Sequence, residues 1–218
     1  MRHAICLLAA LLALGSAGAN AAIITYADRG AFIAATGAVP IGAIPASVPS
    51  GGFSLGGLTF SNHSPSSFNS SVNWSTLISE ANDLALNGDE EFNIDAAGPL
   101  FAFGFDFHEP SLSTPPGPTF PDTCNTACVD STFTVTLLAG AVVVDAFAFN
   151  RPDDVLAFVG VASTTAFDRI EIRESGTADN EFFGNFLISR TAIPEPATIA
   201  LLGIALAGLG CAGRHRRP

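Results

Sequence analysis

Apolar and polar residues alternate with a period of two along much of the chain, which is the pattern of β-strands with one buried face. In residues 100–108 a Phe occupies every second position, and smaller or polar residues stand between them. Residues 131–138 alternate in the same way, with Thr on the polar face. A turn at Gly140 joins this run to residues 141–149, which predicts a β-hairpin. Alternation with one wet face is typical of antiparallel sheets.

The rest of the pattern predicts an all-β fold with one helix. Further strands are expected at 52–60, 91–94, 155–161, 167–173 and 181–189, and connections at 38–51, 61–72 and 109–122. The helix is expected at 29–36, because Asp28 can cap its first turn and Gly37 can end it. We expect this helix to cover the sheet as a lid. Many short strands with Gly- and Pro-rich connections favour an antiparallel β-sandwich of the jelly-roll type.

The first 21 residues lack this alternation. Arg2 and His3 precede an apolar run at 4–14, and small residues follow it up to Ala22. A basic start, an apolar middle and a small-residue cleavage site are the three parts of a secretory signal peptide. We therefore expect residues 1–21 to be removed, and secretion translocon and signal peptidase to act on the chain.

The other end also carries a continuous apolar run. Residues 196–213 are uncharged and rich in Leu, Ile, Ala and Gly. As a helix they would extend about 27 Å, close to the hydrocarbon core of a membrane at about 30 Å. Arg214, Arg216 and Arg217 follow at once, which indicates a short transmembrane helix with a cytoplasmic basic tail. The chain thus divides into a signal peptide (1–21), a β-domain (22–191) and a C-terminal segment (192–218).

The C-terminal segment resembles a known sorting signal. It consists of Pro194-Glu195-Pro196, then the apolar run, then the Arg tail. This order resembles the PEP-CTERM protein-sorting domain of Gram-negative bacteria, which is also called the ice-binding protein C-terminal domain. The resemblance implies that an exosortase, a membrane-embedded cysteine peptidase, recognises the Pro-Glu-Pro motif and cuts near it. It also implies passage through the inner membrane to the cell envelope, the surface or the exterior, often in strains that make exopolysaccharide.

The charge of the chain narrows the choice of partners. It has no Lys, and residues 22–191 hold five Arg against nineteen Asp and Glu, a formal charge of −14. Binding to nucleic acid requires a basic surface that displaces counterions from phosphates. Nucleic acid is therefore excluded as an expected partner.

Cysteine and acidic residues give two candidate sites. Cys124 and Cys128 are the only Cys pair in the exported part, and the oxidising exterior favours a disulfide between them. Acidic residues cluster at 89–91, 153–154 and 179–181. A solvated acidic surface is the simplest interpretation. Otherwise Asp179 and Glu181, just before an expected core strand, are candidates for binding Ca²⁺, which prefers oxygen ligands. No other cofactor is expected.

A catalytic role has weaker support. Residues 52–56 match the Gly-x-Ser-x-Gly motif around Ser54, but a serine hydrolase needs a strand-turn-helix elbow there, and the pattern predicts another strand. We therefore expect a non-enzymatic, exported protein with a structural or adhesive role in an exopolysaccharide or biofilm setting. The alternatives are a carbohydrate-binding or calcium-dependent binding module, with Trp74 as a candidate sugar platform, and, more remotely, an extracellular hydrolase.

Overall fold

The computed structural model describes residues 22–63, 66–71, 77–78, 82–87, 89–110, 131–175 and 181–193. The expected signal peptide and the apolar run at 196–213 lie outside these ranges. So do Trp74 and most of the expected Pro-rich connection at 109–122. Within the described ranges, no helix is long and apolar enough to span a membrane.

The described residues form eleven strands and one helix. In chain order they are β1 (Ile23–Tyr26), α1 (Arg29–Thr36), β2 (Val39–Pro40), β3 (Gly52–Leu55), β4 (Leu58–Asn62), β5 (Ser67–Ser71), β6 (Asp83–Asn87), β7 (Phe92–His108), β8 (Phe133–Ala139), β9 (Val142–Phe149), β10 (Ala157–Glu174) and β11 (Phe182–Ser189). The hairpin of β8 and β9 turns at Gly140, as predicted. The helix also has the predicted ends: Asp28 Oδ1 accepts from Ala31 N at 2.7 Å, and Gly37 is left-handed with φ 63°.

All the strand pairs are antiparallel, so the all-β antiparallel class is confirmed. The strands run β5-β6-β11-β7-β10-β8-β9 across the sheet, with β1 on β10, β2 on β11, β3 on β4 and β4 on β7. Hydrogen bonds thus join the described strands in one sheet, where the sequence led us to expect two. The reason is that β7 and β10 are long and pair with each other at both ends.

The long strands fold the sheet over on itself. Phe92 and Phe107 stand at opposite ends of β7, and an extended strand of that length measures about 50 Å. Phe183 on β11 is the register partner of Phe107. Its ring nevertheless lies 5.1 Å from the ring of Phe92. The two ends of β7 therefore face each other, and the register breaks between β7 and β10 mark the bend.

Aromatic rings fill the space between the facing halves of the sheet. The buried rings of this inner core include Phe60, Phe92, Phe103, Phe105, Phe107, Phe133, Phe149, Phe167, Phe183 and Phe186. Several meet edge to face, for example Phe107 with Phe133 at 5.2 Å. Such pairs are favourable beyond the area they bury. The alternating Phe residues of the sequence are therefore the core of the domain, as predicted.

The opposite face of β7 was expected to be wet, and that expectation is wrong. Residues 102–108 are buried on both faces. Helix α1 covers the outer face through Phe32, which packs with Ala102, Phe158 and Leu187 in a second, smaller cluster. Tyr26 lies at the edge of this cluster, with its ring 5.5 Å from that of Phe32. The helix is thus the expected lid, and it accounts for the dry outer face.

Two glycines make room for this lid. Gly104 on β7 and Gly160 on β10 are register partners. A Cβ atom on Gly104 would lie 2.7 Å from Phe158 and 3.1 Å from Phe32, and one on Gly160 would lie 2.7 Å and 2.9 Å from the same rings. The pair therefore forms a hollow in the outer face, here called the glycine hollow, in which both rings lie.

The strand boundaries differ from the expected ones in four places. Residues 91–94 and 100–108 were expected as separate strands but are joined in β7, and the two strands expected at 155–161 and 167–173 are joined in β10. The connection expected at 61–72 instead contains the end of β4 and all of β5. The segment 52–60 is a hairpin of β3 and β4, with a turn of two left-handed glycines between them.

Candidate functional site

Three buried carboxylates meet at one end of the folded sheet. Glu90, Glu174 and Glu181 each bring one oxygen to within 4.8 Å of the others. Their exposed fractions are 0%, 8% and 2%. Glu90 lies just before β7, Glu174 ends β10, and Glu181 directly precedes β11. We call these three residues the glutamate cluster.

The fold-over of the sheet brings these strand ends together. In the hydrogen-bonded register Glu90 is near Phe92 at the start of β7, whereas Glu181 precedes Phe182, the partner of His108 at the end of β7. Only the contact between the two ends of that strand makes the residues neighbours. Glu181 is one of the two predicted calcium ligands, and Glu90 belongs to the acidic run at 89–91. Glu174 was not predicted, because nothing local distinguishes it from other strand-end acids.

The position of Glu174 is fixed by two donors. Its Oε2 accepts from the backbone N–H of Glu90 at 3.0 Å, and its Oε1 accepts a short hydrogen bond from the Ser131 hydroxyl. The backbone N–H of Ser131 donates to Oε1 of Glu109 at 2.9 Å. Glu109 is itself 4% exposed. Ser131 therefore links a fourth buried carboxylate to the glutamate cluster.

In the part of the chain that the structure describes, each Arg residue of the domain contacts another carboxylate or a backbone carbonyl. Arg29 pairs with Asp106, Arg169 and Arg173 with Glu171, while Arg151 donates to the Phe158 carbonyl and Arg190 to the Gly98 carbonyl. These are all the Arg residues between 22 and 191, and the chain has no Lys. Burying several carboxylates is costly unless protons or a cation neutralise them. The glutamate cluster therefore has the chemistry of a site for a hard cation, in which all three residues can supply oxygen ligands.

His108 lies near this end of the sheet but does not supply a fixed positive charge. Its ring stacks on Phe182, with centroids 6.0 Å apart. Burial lowers the pKa of His108, and the nearby Asp154 carboxylate opposes part of that shift. Burial therefore favours the neutral form of this imidazole.

The other predicted site residues fall into two groups. Ser54 lies in β3, is exposed, and its hydroxyl is 3.0 Å from that of Thr59 across the hairpin. This geometry is a strand pair without the elbow that a hydrolase nucleophile needs. The second group lies outside the described residues: Asp179, Cys124, Cys128, Pro194, Glu195, Pro196, Arg214, Arg216 and Arg217.

The sorting segment follows the folded domain closely. Strand β11 ends at Ser189 and pairs with β7, β6 and β2. Four residues later, the partly buried Ile193 packs against the outer cluster beneath helix α1. The described part of the chain ends at Ile193, and the Pro-Glu-Pro motif begins at the next residue of the sequence.

Comparison with known protein families gives one match. Residues 192–217 match the PEP-CTERM protein-sorting motif. The matched range includes Pro194-Glu195-Pro196, the apolar run and all three Arg residues of the tail. No curated protein and no solved structure matches the chain significantly. The predicted resemblance is therefore confirmed. The motif implies export, transit through the membrane and an exosortase as the processing partner.

Proposed function

We propose that the β-domain is a non-enzymatic module of the cell surface or extracellular matrix with a structural or adhesive role, delivered there by exosortase sorting. The observation that carries the proposal is the match of residues 192–217 to the sorting motif directly after the last core strand. The domain itself has features that suit a structural part: a continuous aromatic core and a sheet whose long strands bind both halves together.

The sorting step is tested by replacing the motif. Pro194, Glu195 and Pro196 are changed together to Ala, and both chains are expressed in a Gram-negative host with an active exosortase. Two prolines restrict the chain to an extended form that a peptidase can bind. We expect the wild type outside the inner membrane and shortened, and the variant retained in the inner membrane at full length less its signal peptide.

The control changes one proline that also lies outside the core. Pro49→Ala alters an exposed connection, and this variant should be released like the wild type. If the triple variant and the wild type fractionate alike, the segment is a membrane anchor and the sorting step fails. A matrix role is tested separately, by deleting the gene and measuring the adhesion and the polysaccharide retention of the cells.

A calcium-dependent module is the second candidate, because Glu181 lies with Glu90 and Glu174 in the glutamate cluster. An ion that binds only the folded protein stabilises it by mass action. We expect millimolar Ca²⁺ to raise the melting temperature relative to chelator. Glu181→Gln and Asp179→Asn should each reduce that rise.

Asp95→Asn is the control for the calcium experiment, because Asp95 is half-exposed, pairs with Arg169 and is not a member of the cluster. It should leave the calcium response unchanged. Equal melting temperatures of the wild type in calcium and in chelator would reject a stabilising calcium site. The glutamate cluster would then have no part in binding calcium.

A further inference from the structure

A pocket of about 420 Å³ opens on the outer face, on the side of the sheet opposite the inner core. It is lined by Ala27, Asp28, Arg29, Asp106, Leu156, Ala157, Phe158 and Asn185. Ala27, Asp28 and Arg29 lie at the start of helix α1 and just before it, and Leu156 directly precedes β10. The other residues lie on the neighbouring strands β11, β7 and β10. Its volume is in the range of small-molecule sites, about 300 to 1,000 Å³.

The floor of the pocket is a fixed polar triad. The buried carboxylate of Asp106 accepts from Arg29 Nη2 at 2.7 Å through Oδ1 and from Asn185 Nδ2 at 2.8 Å through Oδ2. Arg29 Nη2 also donates to the Asn185 carbonyl at 3.2 Å. The three side chains therefore hold one another, and a ligand meets groups whose positions are already set.

The backbone at Asn185 is distorted where it joins this triad. Asn185 has a left-handed φ of 49°, and the register between β11 and β7 breaks between Gly184 and Leu187. Asn is among the few residues that tolerate this conformation, at a cost in stability. Strained residues of this kind cluster at binding and active sites. Irregularities of this kind redirect side chains, and here the Asn185 amide donates to Asp106.

The pocket retains hydrogen-bonding capacity toward solvent. Among the described residues, Arg29 Nη1 has no acceptor, and a third of the Arg29 side chain is exposed. The helix cap uses Oδ1 of Asp28, which leaves Oδ2. One donor and one acceptor thus stand on adjacent residues. A pair of neighbouring hydroxyls, each both donor and acceptor, can bind both.

Charge and apolar surface define the ligand further. The pocket carries one net negative charge, from Asp28, Arg29 and Asp106, and the whole domain has a formal charge of −14. Both charges oppose the binding of an anionic ligand. The lining also has apolar surface from Leu156 and Phe158, and Leu156 is 41% exposed. We propose that this pocket binds a neutral sugar unit, with vicinal hydroxyls on Arg29 and Asp28 and the C–H face of the ring against Leu156.

The binding test uses the full-length chain in a detergent without a sugar headgroup. Saturation-transfer NMR with glucose, galactose and mannose at tens of millimolar should show transfer for at least one sugar. Arg29→Lys keeps the charge that Asp106 needs but loses the planar fork, and it should weaken binding by about tenfold. Asp28→Ser keeps the helix cap but removes the acceptor, with a loss of similar size. Leu156→Ala should weaken binding without altering the polar triad.

Arg190→Lys is the control, because Arg190 is exposed and donates to the Gly98 carbonyl outside the pocket. It should bind as the wild type does. Thermal melts of every variant would check that the substitution has not disrupted the fold. Absence of transfer from all three sugars, equal binding by Arg29→Lys, Asp28→Ser and wild type, or binding of sulfate in place of sugar would each overturn the proposal.

Discussion

The glycine hollow makes Gly104→Ala a sharp test of how the helix is held. The new Cβ would lie 2.7 Å from Phe158 and 3.2 Å from the Val159 carbonyl oxygen. Real Cβ contacts do not fall below 3.0 Å, so at least the Phe158 ring must move. That ring is held between the guanidinium of Arg29, at 5.3 Å, and the ring of Phe32, also at 5.3 Å. Its displacement therefore disturbs helix α1 as well.

The magnitude follows from two opposing effects. Forcing an extra methyl group into a packed site costs about 1 to 3 kcal/mol. Replacing Gly by Ala restricts the unfolded chain and returns about 0.4 to 1 kcal/mol. We expect a net loss of about 1 to 2 kcal/mol in the free energy of unfolding, or a fall of about 2 to 8 °C in melting temperature for a domain of this size.

Urea unfolding followed by circular dichroism measures this loss. Gly51→Ala is the matched control, because a Cβ there meets nothing within 4 Å and its φ is not left-handed. That variant should be as stable as the wild type or slightly more so. Adding Phe158→Leu to Gly104→Ala should recover part of the loss, because the shorter side chain leaves space for the methyl group. Equal stability of the two Gly→Ala variants would refute the conclusion that the glycine hollow is needed for helix α1 to pack on the sheet.

Three further predictions concern the disulfide, the buried imidazole and the core. Cys124 and Cys128 should resist alkylation in the exported protein without reductant, as intact-mass analysis would reveal, and two alkylated thiols would contradict this. The pKa of His108 is lowered in the folded protein, so the unfolded chain binds a proton at pH values where the folded protein does not. The contribution of His108 to stability is therefore present above pH 6.5, the ordinary pKa, and is lost as the pH falls through 6.5 toward the folded pKa. In urea titrations the stability difference between the wild type and His108→Gln should shrink over that range. Phe183→Ala should cost about 3 to 5 kcal/mol, because the side chain is fully buried and its ring contacts four other Phe rings. A loss below about 1 kcal/mol would contradict the folded-over core.

Local sequence signals predicted the parts of the fold that depend on neighbouring residues. The helix ends were predictable because Asp28 and Gly37 act through contacts three or four residues away. The hairpin at Gly140 and the Phe face of β7 were predictable because period and turn chemistry are local. These features need no knowledge of the rest of the chain.

The remaining features depend on contacts between distant residues. Gly98 and Pro99 interrupt the alternation of β7, so the strand was predicted as two pieces, although pairing with β4 and β10 carries it through. The dry outer face depends on where α1 docks. The glutamate cluster depends on the fold-over, and Glu174 has no local mark that would separate it from an exposed acid. No alternation within one strand contains that information.

The position of β11 has a consequence for the order of events during export. This strand is the last in the domain, yet it lies inside the sheet, between β6 and β7. A chain that emerges from its N-terminus therefore keeps one edge of β7 open until residues 182–189 have passed the membrane. Long-range pairings of this kind form slowly, and open edges invite association with other chains. Because the sorting motif begins three residues after β11 ends, the domain closes only when the signal for its processing has reached the membrane. The sheet is thus unclosed while most of the domain is exported, and its closure nearly coincides with the arrival of the motif at the membrane.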